Sequence, residues 1–237
     1  TDFDGGKRPA KGKADMGVNG LSVRNARIGK DRLSFTLANH EAAWITVNQR
    51  DPSSPLTAID CREASRPRDE VFDPNFIRMV RDFKVVRFMD WQRVNGDNPV
   101  NWETRRTPDN AFQGGDGGVA LDYMVKLAVD ADIEPWFTMP FQADDNYIRA
   151  YARFVHEHLP ADRTIYIELG NEIWNTAFPA ARRSQAEGLA KGLSSDPTEA
   201  RMRNYAARAA EMFAIWSEVF ADRPGKLVRV VSTQSVQ

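Results

Sequence analysis

The chain has 237 residues, 42% of them hydrophobic, with a formal net charge of -1 and a single cysteine. That is long enough for one sizeable domain with a real core, or one domain and part of another. The near-zero charge excludes a basic nucleic-acid footprint and a polybasic membrane patch, and the lone Cys61 excludes an internal disulfide and a cysteine-based zinc cluster.

Residues 1–20 carry Gly, Lys and Asp without periodicity and predict a loop or the frayed edge of a preceding domain, and the polar stretch Thr1 to Met16 is not a signal peptide. Short alternating runs follow at Leu21–Val23, Leu33–Leu37 and Trp44–Val47. Their spacing, with Gly29 and Asn39 between them, predicts antiparallel strands of a partial sandwich over residues 1–50. The two prolines of Asp51-Pro52-Ser53-Ser54-Pro55 then mark a boundary.

From residue 51 to 237 the rhythm is strand, helix, strand, helix. Leu56–Cys61 is a weak first strand, and Asp73-Pro74 opens a helix by a cap followed by Pro at the first position. Val85–Trp91 predicts a second strand, and residues 92–115 a long polar connection, a length that is usually functional. Val119–Val129 has helical spacing, Glu134–Pro140 predicts a third strand, and Asp144 and Asp145 cap a helix striped by Tyr147, Ile148, Tyr151, Val155 and Leu159. The run Thr164–Asn175 holds a fourth strand that closes on Asn171-Glu172. Residues 179–191 and 197–220 are helical, and Leu227–Thr233 is a fifth strand.

Strands separated by helices pair in parallel through right-handed crossovers. Both a (β/α)₈ barrel and an open doubly wound sheet fit this alternation. No Gly-rich phosphate loop follows any strand, which lowers the nucleotide-binding form, and no cofactor is expected. The strands end instead in polar and aromatic groups, Asp90-Trp91, Phe141-Gln142 and Asn171-Glu172 with Trp174, as barrel rims do. The expected fold is therefore an α/β barrel of the (β/α)₈ type, cut after about five strands. A chain running from Thr1 to Gln237 in this way is expected to be an excerpt of a longer protein with further domains.

Val85-Val86-Arg87-Phe88 with Trp91, and Glu168-Leu169-Gly170-Asn171-Glu172, resemble glycoside hydrolases of clan A. The stretch from about Asp51 onward is also similar to large secreted bacterial proteins labelled cellulose-binding or glycosidase-like, through Arg87–Trp91, Trp136–Pro140 with Ala143-Asp144-Asp145, and Asn171–Asn175. Where that group carries His after the third-strand proline, this chain has Phe141. The resemblance implies Glu172 as acid/base, Arg87 as support for a nucleophile, and that nucleophile as a Glu ending strand seven, beyond this chain. It also implies a secreted or cell-surface location and a polysaccharide or oligosaccharide partner.

Retaining glycosidases place two carboxyls about 5–5.5 Å apart, one protonating the leaving oxygen and one attacking the anomeric carbon. Glu172 suits the first role. Asn171 either hydrogen-bonds the sugar 2-hydroxyl or caps the next helix. Arg87 braces a carboxylate or forms a structural ion pair with Glu168 or Glu172, and Glu168, if buried, needs a partner of which Arg87 is the obvious one. Trp91, Trp102 and Trp174 offer ring faces for pyranose stacking, whereas Trp136, inside a strand, reads as core packing. Asp90, Gln142 and Asn175 complete the expected sugar contacts. Asp90, Asp144 and Asp145 lack the spacing of a Ca²⁺ loop, and His40, His156 and His158 show no metal-ligand pattern.

The expected activity is hydrolysis of a β-linked polysaccharide. The alternative is a non-catalytic carbohydrate-binding or adhesive surface protein, and a lyase is a weaker third.

Overall fold

The computed structural model describes residues 15–29, 32–39, 41–48, 63–67, 69–96, 100–110 and 112–234. The Asp51–Pro55 boundary, the Leu56–Cys61 strand and His40 lie outside the described residues. The chain divides into two compact units, Thr1–Glu70 and Val71–Gln237.

In the first unit, β1 (Asp15–Asn19) pairs antiparallel with β4 (Trp44–Asn48), and β2 (Val23–Ile28) with β3 (Leu33–Leu37). Strand β1 falls where composition predicts a loop. A Gly- and Asn-bearing segment has little strand preference of its own, and its ladder to β4 overrides that. Leu21 and Ser22 form a turn ahead of β2, closed by the Val23 N–H on Gly20 O (3.2 Å), which leaves Leu21 81% exposed. The alternation of β2 breaks at Asn25 (φ 52°), where the register shifts between Arg24 and Arg27 as in a bulge.

The second unit begins with α1 (Pro74–Arg81), β5 (Val85–Arg87), a helical turn α2 (Met89–Gln92) and α3 (Leu121–Asp130). It continues through β6 (Glu134–Met139), α4 (Asp145–His158), β7 (Ile165–Leu169), α5 (Pro179–Ala190), α6 (Pro197–Val219) and β8 (Leu227–Val230). Helix starts follow local chemistry. Asp73, Asp144 and Asp196 accept from the backbone N–H of Asn75, Tyr147 and Glu199, and Pro74 and Pro197 occupy first-turn positions where no donor is needed.

The strands pair in parallel in the order β5-β6-β7-β8. When order in the sheet equals order in the chain, right-handed crossovers deliver the connecting helices to one face. That face is apolar: Phe137, Met139, Ile165, Ile167 and Leu169 are fully buried with Met124, Leu127, Ile148, Met212 and Trp216. Each such side chain contributes about 1.5–3 kcal/mol through burial. Helix α6 turns Tyr205, Ala209, Met212, Trp216 and Phe220, spaced three or four residues apart, toward this core. It lies close to α5 because Gly188 has no side chain; a Cβ there would sit 2.2 Å from Ala200 O.

Three strands end sooner than their apolar runs predict. Strand β5 stops at Arg87, because Phe88 turns inward to stack on Phe137 (5.7 Å between centroids) and Met89–Gln92 winds into α2, ended by Arg93 in the left-handed region (φ 55°). Asp90 and Trp91 are thus on a helical turn rather than a strand end. Strand β7 stops at Leu169, where Gly170 takes φ 63° while its N–H still reaches Met139 O (2.7 Å). Strand β8 stops at Val230.

Candidate functional site

Side chains in register on neighbouring parallel strands share a face. Arg87 pairs with Trp136 and Trp136 with Tyr166, while Thr138 pairs with Glu168, so these five lie on the face away from the apolar core. Glu168 is 1% exposed, and its Oε2 accepts from Arg87 Nε (2.9 Å), Arg87 Nη2 (2.7 Å), Trp136 Nε1 (3.0 Å) and Thr138 Oγ1 (3.4 Å). The guanidinium also lies 5.1 Å from the Trp136 ring centroid, and Trp136 stacks on Tyr166 (6.1 Å). A buried ion pair adds little net stability over apolar residues of the same size. Packing alone therefore does not account for Glu168.

The network continues into the turn after β7. Asn171, buried, accepts from Arg87 Nη2 on its Oδ1 (3.0 Å) and donates from Nδ2 to Asn95 Oδ1 (2.9 Å). It does not cap a helix; the next one starts at Pro179 behind Phe178. The Tyr205 hydroxyl, accepting from the Ser232 N–H (3.3 Å), is raised above its ordinary pKa mainly by burial, with a smaller push from the Glu168 charge.

Glu172 follows with φ 46°, in the left-handed region that a side chain normally avoids. Its Oε2 accepts from Asn175 Nδ2 (3.0 Å), and the turn closes through Asn175 N–H on Glu172 O (2.8 Å) and Ala177 N–H on Asn175 Oδ1 (3.0 Å). Glu172 and Trp174 are half-buried. Glu172 is thus in the same turn as Asn171, but its carboxylate is oriented by Asn175 and not by Arg87.

The remaining expected contacts are elsewhere in the unit. Trp91 packs on Phe88 (5.6 Å) and, with Gln142, lines a pocket of about 170 Å³. Trp102 has the Arg105 guanidinium 3.8 Å above its ring and its edges against Tyr147 and Phe154, so one ring face is already covered by protein. Asp90 is exposed on α2. No group of His, Cys, Asp or Glu among the described residues is arranged to hold a metal.

Tyr147 and Tyr151 also line the pocket. Burial pushes the Tyr147 phenol up to about 12, against a smaller lowering by Arg105, and burial, with a smaller push from Tyr147, holds Tyr151 well above its ordinary value. Unfolded tyrosine ionises near pH 10. A raised folded pKa contributes stability that is complete below that value and is lost as pH climbs through the folded one. We expect stability to fall between pH about 10 and about 12, with both phenols still protonated at the lower end, as read by ultraviolet titration of phenolate alongside denaturant melts.

The sequence pairs Arg87 with Glu168 or Glu172 and leaves Asn171 between a sugar contact and a helix cap; it does not mark the Arg87–Asn171 bond, Asn95, or the hydrogen-bonding role of Trp136 and Thr138. Strand parity carries a signal for Trp136 and Thr138. Nothing local marks Asn95, which reaches Asn171 across 76 residues of chain. No protein-family model, curated protein or solved structure matches the chain. Among the described residues, no helix is long and apolar enough to cross a membrane.

Proposed function

We propose that this chain carries the acid/base half of a glycoside hydrolase site for a β-linked polysaccharide, with Glu172 as the proton donor. The observation that carries the reading is the backbone of Glu172. A non-glycine residue in a sparsely populated region costs about 1–3 kcal/mol and persists where the surroundings impose it, typically at functional sites. A turn needed only to leave β7 would be served by glycine. Instead the position holds a half-buried carboxyl aimed by Asn175, next to an amide fixed by Arg87 and Asn95.

In this role Glu172 protonates the glycosidic oxygen and then takes a proton from water. Asn171 has one amide N–H left over for a sugar 2-hydroxyl after its bond to Asn95. We take the β5-β6-β7-β8 sheet as a segment of a (β/α)₈ barrel, the Arg87 and Glu168 face being its interior and the turn after β7 part of its rim. A secreted or cell-surface setting belongs to the same reading.

Retaining hydrolysis requires a second carboxyl, and Glu168 does not suit it, since it is 1% exposed beneath Arg87 and its Oε2 already accepts four hydrogen bonds. That engagement favours a second reading, a polysaccharide-binding protein without turnover. The test is a panel of aryl β-glycosides, soluble β-glucans and mannans assayed for hydrolysis by the full-length protein, which supplies the second carboxyl, with co-sedimentation on insoluble polysaccharide in parallel. Turnover of any β-linked member supports the hydrolase. Co-sedimentation with no turnover on the whole panel replaces it with the binding protein.

A further inference from the structure

The pocket of about 170 Å³ lies apart from the residues around Glu168 and is enclosed by the connection after α2 together with α3 and α4. Its walls include Trp91, Arg93, Arg105, Arg106, Gln142 and Tyr151. Three guanidinium groups thus face one lining carboxylate, Asp116, which is 90% exposed and 3.5 Å from Arg93. Such a surplus of positive charge in a small concavity is repulsive unless an anion relieves it.

Arg105 and Arg106 have few partners of their own. Arg105 donates from Nη1 to Trp102 O (2.9 Å) and Arg106 from Nη2 to Gly114 O (3.4 Å). Among the described residues neither meets a carboxylate, and the buried Nε of each has no acceptor. An arginine offers five N–H donors in a rigid fork suited to a carboxylate. The buried Nε atoms are sealed from the pocket, so the donors that call for an oxyanion are Arg105 Nη2 and Arg106 Nη1, which make no hydrogen bond among the described residues. The Tyr151 hydroxyl is already engaged, accepting from Gln92 Nε2 (3.0 Å) and reaching Met124 Sδ (3.8 Å), and so shapes the wall more than it binds.

We propose that this pocket binds the carboxylate of an acidic sugar, a uronate unit, between Arg105 and Arg106, with Trp91 supplying an apolar wall for the ring. The sugar part rests on the saccharide reading above; the anion part stands on the arginines alone. The volume decides the size of the ligand. Pockets for drug-sized ligands run to about 300–1,000 Å³, so this one seats a single terminal unit or side branch and not a run of the chain. Gln92 links the two places, donating to Tyr151 at the pocket wall and accepting from the Thr138 N–H beside Glu168 (2.8 Å). A uronate branch seated here would help hold a polysaccharide against the same end of the sheet.

The experiment is titration calorimetry of the intact chain with sodium glucuronate, and with methyl glucoside and sodium acetate as the neutral sugar and the bare anion. Glucuronate is expected to bind at least tenfold more tightly than either, to weaken several-fold in high salt, and to lose at least tenfold in Arg105→Gln/Arg106→Gln. Equal affinity for glucuronate and methyl glucoside, or for glucuronate and acetate, overturns the proposal. Should the double variant fail to fold, protection of Arg105 and Arg106 from phenylglyoxal by glucuronate in the unaltered protein gives the same answer, and no protection overturns it. Hydrolysis of neutral glucans is scored separately, so failure of the hydrolase reading leaves the glucuronate result intact.

Discussion

Glu172→Gln is expected to lower kcat on any β-linked substrate that the protein turns over by about 10²–10⁴-fold, the usual contribution of a positioned general acid. Glutamine keeps the shape and still accepts from Asn175 Nδ2, so substrate binding and melting temperature change little. Glu172→Gly separates catalysis from folding. It removes left-handed strain of about 1–2 kcal/mol and gives part of that back through a more flexible unfolded chain. Its stability should match or exceed that of the parent while hydrolysis is lost. Undiminished turnover in Glu172→Gln would end the acid/base assignment. A Glu172→Gly variant destabilised by several kcal/mol would show that the side chain is there for the fold.

Arg87→Ala has the largest expected effect on stability. It leaves Glu168, 1% exposed, facing Trp136 and Thr138 without a counter-charge. Stranding a buried charge costs up to about 3–5 kcal/mol, reduced here by the 30% exposure of the Arg87 side chain and still a large share of the roughly 5–15 kcal/mol that holds a typical domain. Urea denaturation should show this loss, and Arg87→Met/Glu168→Leu should recover most of it, because apolar replacements of similar volume remove the desolvation cost with the charges. If the single variant lost less than about 1 kcal/mol, the pair would be solvated and the network around it of little consequence. Recovery of stability in the double variant without recovery of polysaccharide binding or turnover would place the pair in the site and not in the scaffold.

Local patterns made much of this protein legible. Asp-Pro pairs set the starts of α1 and α6, because a cap and a missing donor act within one turn of chain. The stripe of α6 gave its buried face. Alternation of strands and helices gave parallel pairing, and parity along β7 put Glu168 on the side where Arg87 meets it. What the sequence misplaced were strand ends. Val85–Trp91 and Thr164–Glu172 each read as a strand to its last residue, yet β5 gives way to α2 where Phe88 finds Phe137, and β7 to a left-handed turn at Gly170. Both choices depend on groups distant in the chain.

The sequence by itself determined which residues carry charge, which runs become strands and helices, and that the strands pair in parallel, since propensity, capping and strand–helix alternation are local rules; the strand order that brings the helices to one face is tertiary. Tertiary structure decided the rest. It chose Glu168 over Glu172 for Arg87 and tied the same guanidinium to Asn171, left Glu172 to Asn175, raised Trp136 from core filler to hydrogen-bond donor, and brought Asn95 to Asn171. It also gathered Arg93, Arg105 and Arg106 around one small pocket. These are encounters across the fold, set by strand register and by where a turn releases the chain, and no periodicity in the sequence encodes them.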